Sequence, residues 1–228
     1  ITAGTGIGVD QPLQTKTSKT TLKTTKGNIQ ISNDSSDLQV NAKALGNNAQ
    51  ISVEQSGNLL VNAAQGSGKV ILHANNGTLN DSANAIIQGN ALDAKGISIG
   101  SEENAFDTKI QGDNVQLNAT SGSINYSNTG NITGTGLNAT AAGDMNISNT
   151  GNVAFGTLSS TGKMVISLSG EGTDANGDIV NFVVNSAEGL RYAAKSMGTE
   201  SNKLELKVQK LLIDTNSGGI YAVNSNGT

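Results

Sequence analysis

One histidine, one arginine and no cysteine leave this 228-residue chain few routes to covalent or metal chemistry. His73 could act as a general base only beside a nucleophile and an orienting acid, and no motif supplies either. It reads instead as a ladder or loop histidine. Without thiolates, and with one imidazole, a transition-metal centre lacks its usual ligands. Oxygen donors remain: Asp34 with Asp37, or Glu102 and Glu103 with Asp107, could hold calcium loosely. The Gly-Gly-x-Gly-x-Asp calcium repeat is absent, so these carboxylates read as solvated turns. The glycine-rich stretch Gly4-Thr5-Gly6-Ile7-Gly8 lacks the preceding strand and following helix of a nucleotide loop. Arg191 with a carboxylate cleft would suit a polysaccharide-cleaving site, but the acidic residues are scattered along the chain. The sequence therefore implies no catalytic residue, no cofactor and no metal site.

Whatever the chain does must rest on the elements that carry these residues. Net charge is -4, charged residues are 14% and aromatic residues 3%, with no tryptophan and one proline, Pro12. Such low charge with many Val and Ile argues against disorder, and so few aromatics imply a thin aliphatic core. Mild acidity with 14 basic residues argues against a nucleic-acid partner. No run of 18 apolar residues suggests membrane insertion. No signal peptide opens the chain, and its start at Ile1 suggests a segment of something longer.

Short alternating runs recur about every ten residues, as in Asn28-Ile29-Gln30-Ile31-Ser32, Gln50-Ile51-Ser52-Val53 and Met145-Asn146-Ile147-Ser148. Period-two alternation places one set of side chains on one face of a strand. The inward set expected from this pattern includes Ile29, Ile31, Leu38, Val40, Ile51, Val53, Val70, Leu72, Ile97, Ile99, Val115 and Leu117. It continues through Ile124, Tyr126, Met145, Ile147, Val165, Leu168, Ile179, Val183, Leu204, Leu206, Ile220 and Ala222. Helix signals are weak, and Gly189 interrupts the best of them, at 186–195.

A longer period overlies the short one. Gly27, Gly122 and Gly218 open three similar strands, 95 and 96 residues apart. Upstream, Ile7-Gly8, Ile99-Gly100 and Met197-Gly198 precede the apolar residues Leu13, Phe106 and Leu204. Their glycines lie 92 and 98 residues apart. Asn33, Asn128 and Asn224 follow the strand glycines by six residues. These nine residues read as structural repeat markers. The strand glycines are expected in turns with φ > 0, and the asparagines in corners where their amides stack from coil to coil. A unit of this length suits a solenoid, whose coils contact only their neighbours. The expected fold is thus all-β: a right-handed parallel β-helix, or β-solenoid, with about 20 residues per coil. It would be one continuous elongated rod over 1–228, with units at about 8–99, 100–197 and a partial 198–228. About eleven coils would span roughly 50 Å.

The stretch GIGVDQPLQTKTSKTTLKTTKGNIQISN (6–33) resembles the repeats of filamentous-haemagglutinin-like proteins, large bacterial exoproteins of the two-partner-secretion type. Those repeats show an Ile-Gly step, a Pro-Leu, an alternating strand and a Gly-Asp-Ile-Tyr strand with a following Asn. Pro12-Leu13 matches best in the first unit and Gly218-Gly219-Ile220-Tyr221 in the third. The middle unit departs, with Ala105-Phe106 and Gly122-Ser123-Ile124-Asn125. The resemblance implies a repetitive stalk segment of a secreted adhesin at the outer bacterial surface, projecting a binding region. Its partners would be neighbouring repeats or copies of itself, and host or environmental surface receptors or glycans. The alternative is a subunit of a self-assembling extracellular filament or matrix; a glycan-active β-helix enzyme is a third reading. Nine Asn-x-Ser/Thr sequons, headed by Asn33, Asn76, Asn80, Asn118, Asn125, Asn131, Asn138, Asn146 and Asn226, offer attachment points for sugars.

Overall fold

The alternating runs form strands that stack in parallel. A computed structural model describes residues 1–225, in which 21 strands and no helix make one continuous sheet. The sheet winds into a β-solenoid of about 11 turns with about 21 residues per turn. Every strand pairs with its counterpart one turn away, in parallel register. Inward side chains therefore stack in ladders. One runs Ile7, Ile29, Ile51, Val70, Leu92, Val115, Leu137. A second runs Leu38, Leu59, Leu79, Ile99, Ile124, Met145, Met164, Leu190. These ladders identify three faces in each turn. In one turn the first face is Ile29–Asn33, and Asp37–Ala44 supplies the second and then the third.

The core is aliphatic, as the scarcity of aromatics requires. Where a turn widens, three aromatic rings fill it. Phe155 and Phe182 meet edge to face at 4.9 Å between ring centres, and Tyr192 packs 6.3 Å and 6.1 Å from them. Gly172 makes this possible, because a Cβ there would lie 1.7 Å from the Tyr192 hydroxyl oxygen.

Five expected inward positions turn out otherwise. In Met164-Val165-Ile166 every residue is apolar, so composition leaves the phase open. Pairing of Met145 with Met164 and Ile147 with Ile166 turns Val165 outward. Val183 is likewise turned out by pairing of Phe182 and Val184 with Leu158 and Ser160. Ile179 is 61% exposed in the loop 175–181, an insertion that the alternation did not reveal. Ile97 lies at a corner, 38% exposed. Ile220 bridges to Met197 but belongs to the last described turn, where no further strand covers it, and is 51% exposed.

Candidate functional site

The hydrophobe-glycine steps turn out to be three constructions of one kind. Each opens a loop out of the stack between two inward residues. Ile7 and Leu13 pair with Ile29 and Ile31; Ile99 and Phe106 pair with Ile124 and Tyr126; Met197 and Leu204 pair with Ile220 and Ala222. Two inward residues that are adjacent in one turn are therefore spread apart by a loop in the turn before it. The glycine that begins each loop has left-handed backbone: φ is 65° at Gly8, 64° at Gly100 and 67° at Gly198. A Cβ at each would lie 2.2 Å from a backbone oxygen of the following turn, that of Gln30, Asn125 or Tyr221. Both the conformation and the space demand glycine here.

The second and third loops match further. Ser101 N–H donates to Asn104 O at 2.8 Å, and Thr199 N–H to Asn202 O at 2.8 Å. The Ser101 and Thr199 hydroxyls accept from the amides of Asn104 and Asn202. Each asparagine then reaches to the turn beneath, where its Nδ2 donates to the backbone oxygen of a buried aspartate, Asp81 or Asp174. Burial raises the Asp81 carboxyl to about 6, with nearby Asp107 adding to it against hydrogen bonds that include Asn104. The shared Gly-Ser/Thr-Glu-x-Asn at 100–104 and 198–202 was the available sequence signal for this pairing. The first loop, Gly8 to Pro12, lacks the asparagine.

The three loops do not share a face. From Ile7, four turns lead to Leu92, and the next face begins with Ile99. From Ile99, four turns lead to Leu190, and the next face begins with Met197. The spacing is thus four turns plus one face, and each of the three faces carries one loop.

Of the strand glycines, only Gly27 has positive φ, at 83°. The expectation of a left-handed turn at Gly122 and Gly218 is corrected. These two are constrained by close approach: their Cβ atoms would lie 3.0 Å from Ser98 Cβ and 2.6 Å from Ser196 Cβ. The three asparagines each grip the backbone of the turn below. Asn33 Oδ1 accepts from Thr17 N–H and its Nδ2 donates to Thr17 O. Asn128 does the same to Ile110, and Asn224 to Val208. Asn33 and Asn128 are buried, and each also donates to an amide oxygen of the turn above, that of Gln55 or Asn149. The burial of Asn33 and Asn125 closes those two sequons to a modifying enzyme, and Asn226 lies outside the described residues.

His73 is a ladder residue with both ring nitrogens engaged. Nε2 meets Asp93 Oδ1 at 3.0 Å and Nδ1 meets Glu54 Oε1 at 2.9 Å, while Lys69 Nζ holds Asp93 Oδ2 at 2.9 Å. Hydrogen bonds to Asp93 and then Glu54 raise His73 to about 9. The bond from His73 lowers Asp93 to about 2, against burial and with help from Lys69. Burial opposes ionisation of Glu54, but contacts with His73 outweigh it and leave the carboxyl below its usual range. This cluster is an ion-pair network across three turns. Its stabilisation is complete between the ordinary pKa of Glu54, 4.5, and that of His73, 6.5. Raising the pH through about 9 removes the proton that folding favours. The protein is therefore expected to lose about 1–2 kcal/mol between pH 6.5 and 9, with allowance for solvent screening. Denaturant melts across that range check this: His73→Gln should flatten the slope, and an unchanged slope would refute the assignment.

Among the described residues no three His, Asp or Glu side chains converge to hold a metal ion. Asp37 is fully exposed, its carboxyl lowered by hydrogen bonds from Asn58 and Ser36. Glu102 is an exposed residue of the second loop. Arg191 is exposed on the second face, aligned between Val165 and Leu212, with no carboxylate partner among the described residues. Comparison with family models, curated proteins and solved structures returns no match.

Proposed function

We propose that this chain is a stalk segment of a secreted bacterial surface adhesin, whose work is to hold a binding region away from the cell. The observation that supports the reading is the unbroken stack of about 11 turns, in which every strand is held by its neighbours along one axis. Such a stack gains length by adding turns, each about 4.8 Å, without changing its local contacts. The resemblance of 6–33 to filamentous-haemagglutinin-like repeats agrees with export and surface display. The role is non-catalytic in this reading: the one imidazole is spent on two carboxylates.

Sedimentation velocity and small-angle scattering test it. A stalk segment should behave as an elongated monomer, with a cross-section and length that do not change with concentration. Growth into end-to-end filaments as concentration rises would replace this reading with the self-assembling fibre.

A further inference from the structure

The second face carries a groove that neither the stalk role nor the repeat pattern accounts for. It begins above the second loop, where Glu102 and Ala105 border outward-facing Asn146, Ser148 and Ser167 around a depression of about 450 Å³. A second depression, of about 300 Å³, continues it and shares Lys163 and Val165 with the first. Gly189 borders it with left-handed backbone, φ 75°, and the absence of a Cβ lets the Lys210 backbone approach, since a Cβ there would lie 2.0 Å from Lys210 O. Lys163 lies in register one turn below and Lys210 one turn above, because Met164, Leu190 and Leu211 pair directly. Arg191 stands two residues further on, in the strand Leu190–Ala194. Three cations thus surround one hollow on a chain whose net charge is -4. Glu188 borders the same hollow, and Asp144 takes part of the Lys163 charge at 3.6 Å.

We infer that this groove binds an acidic polysaccharide, with a uronate carboxylate on Arg191 and the neighbouring sugars along Asn146, Ser148 and Ser167. The guanidinium has no ion-pair partner among the described residues, and its planar fork matches a carboxylate in bidentate fashion. Val165 and Leu212 flank Arg191 in register and give the hollow an apolar border. The Asn146 amide and the Ser148 and Ser167 hydroxyls lie side by side on successive turns of the stack. That is a row of donors and acceptors for sugar hydroxyls. An acidic peptide fits less well. Backbone groups of the underlying strands are already paired to the turns above and below, so an extended peptide has no edge to join.

Binding of alginate chains to the whole 228-residue protein tests the inference by titration calorimetry, with neutral dextran and poly-glutamate alongside. Alginate should bind and dextran should not, and the affinity should fall as salt rises. Arg191→Ala should weaken alginate roughly tenfold, the effect of one charge-assisted bidentate contact. Lys43→Ala, an exposed cation on the third face, should leave the affinity unchanged. Absence of alginate binding, equal loss in both variants, or poly-glutamate binding as tight as alginate would each overturn the inference. The sedimentation result bears only on the stalk reading, so the two can fail separately.

Discussion

Gly100→Val is expected to destabilise the protein by about 3 kcal/mol or more. Two costs combine. A β-branched residue at φ 64° suffers backbone strain of about 1–3 kcal/mol. Its Cβ would also press against Asn125 O and the Phe106 nitrogen, placed 2.2 and 2.7 Å away. Both belong to backbone fixed in ladders, so relief requires the second loop to shift off the stack, an overpacking cost of about 1–3 kcal/mol. Gly122→Ala makes the comparison, because its backbone is not left-handed and its nearest contacts are at 3.0 Å. It should cost about 1 kcal/mol. Guanidinium melts give the two values, and hydrogen exchange at Asn125 and Phe106 should rise in the first variant. Equal costs at the two glycines would sink the view that the loop glycines carry the repeat.

Asn128→Ala should be nearly as damaging, at about 3–4 kcal/mol. The side chain is buried and meets four partners at once. Thr108 Oγ1 and Ile110 N–H donate to its oxygen, and its Nδ2 donates to Ile110 O and Asn149 Oδ1. Truncation leaves Ile110 N–H, Ile110 O and Asn149 Oδ1 dry and unmatched, at about 1–3 kcal/mol each before relaxation, while Thr108 keeps the Tyr126 hydroxyl. Asn224→Ala removes a clamp of the same design on an exposed residue, where water can take over. It should cost under about 1 kcal/mol. Thermal melts and protection of the Ile110 amide discriminate the two. A small loss at Asn128 would mean that water enters the stack there.

The sequence made the solenoid legible because two periods coexist in it. Alternation at two residues marked most of the inward ladder, from Ile29 and Ile31 through Leu206. It failed where apolar residues run together, as at Met164-Val165-Ile166, since only pairing with Met145 and Ile147 sets the phase. The 95-residue spacing found the loop glycines and the asparagine clamps, but it could not distinguish glycine needed for conformation from glycine needed for space. Lateral neighbours were the least legible. Glu54, His73 and Asp93 are separated by 19 and 20 residues, about one turn each, and become one charge network only when turns stack. Lys163, Arg191 and Lys210 also converge only on stacking, but the loop 175–181 lengthens the first interval to 28 residues against 19 for the second. With the turn length known, clusters of the first kind can be sought by scanning charges at that interval.

Loops that advance by one face every four turns also bear on crowding. If the pattern continued, a loop would return to the same face after 13 turns, about 60 Å along the axis. Rods lying side by side would meet an obstruction on whichever face they presented, at heights that differ from face to face. Close lateral bundling would then demand one particular axial offset between neighbours. Many such rods could stand densely on a surface and still slide past one another, as threaded shafts of unlike phase do.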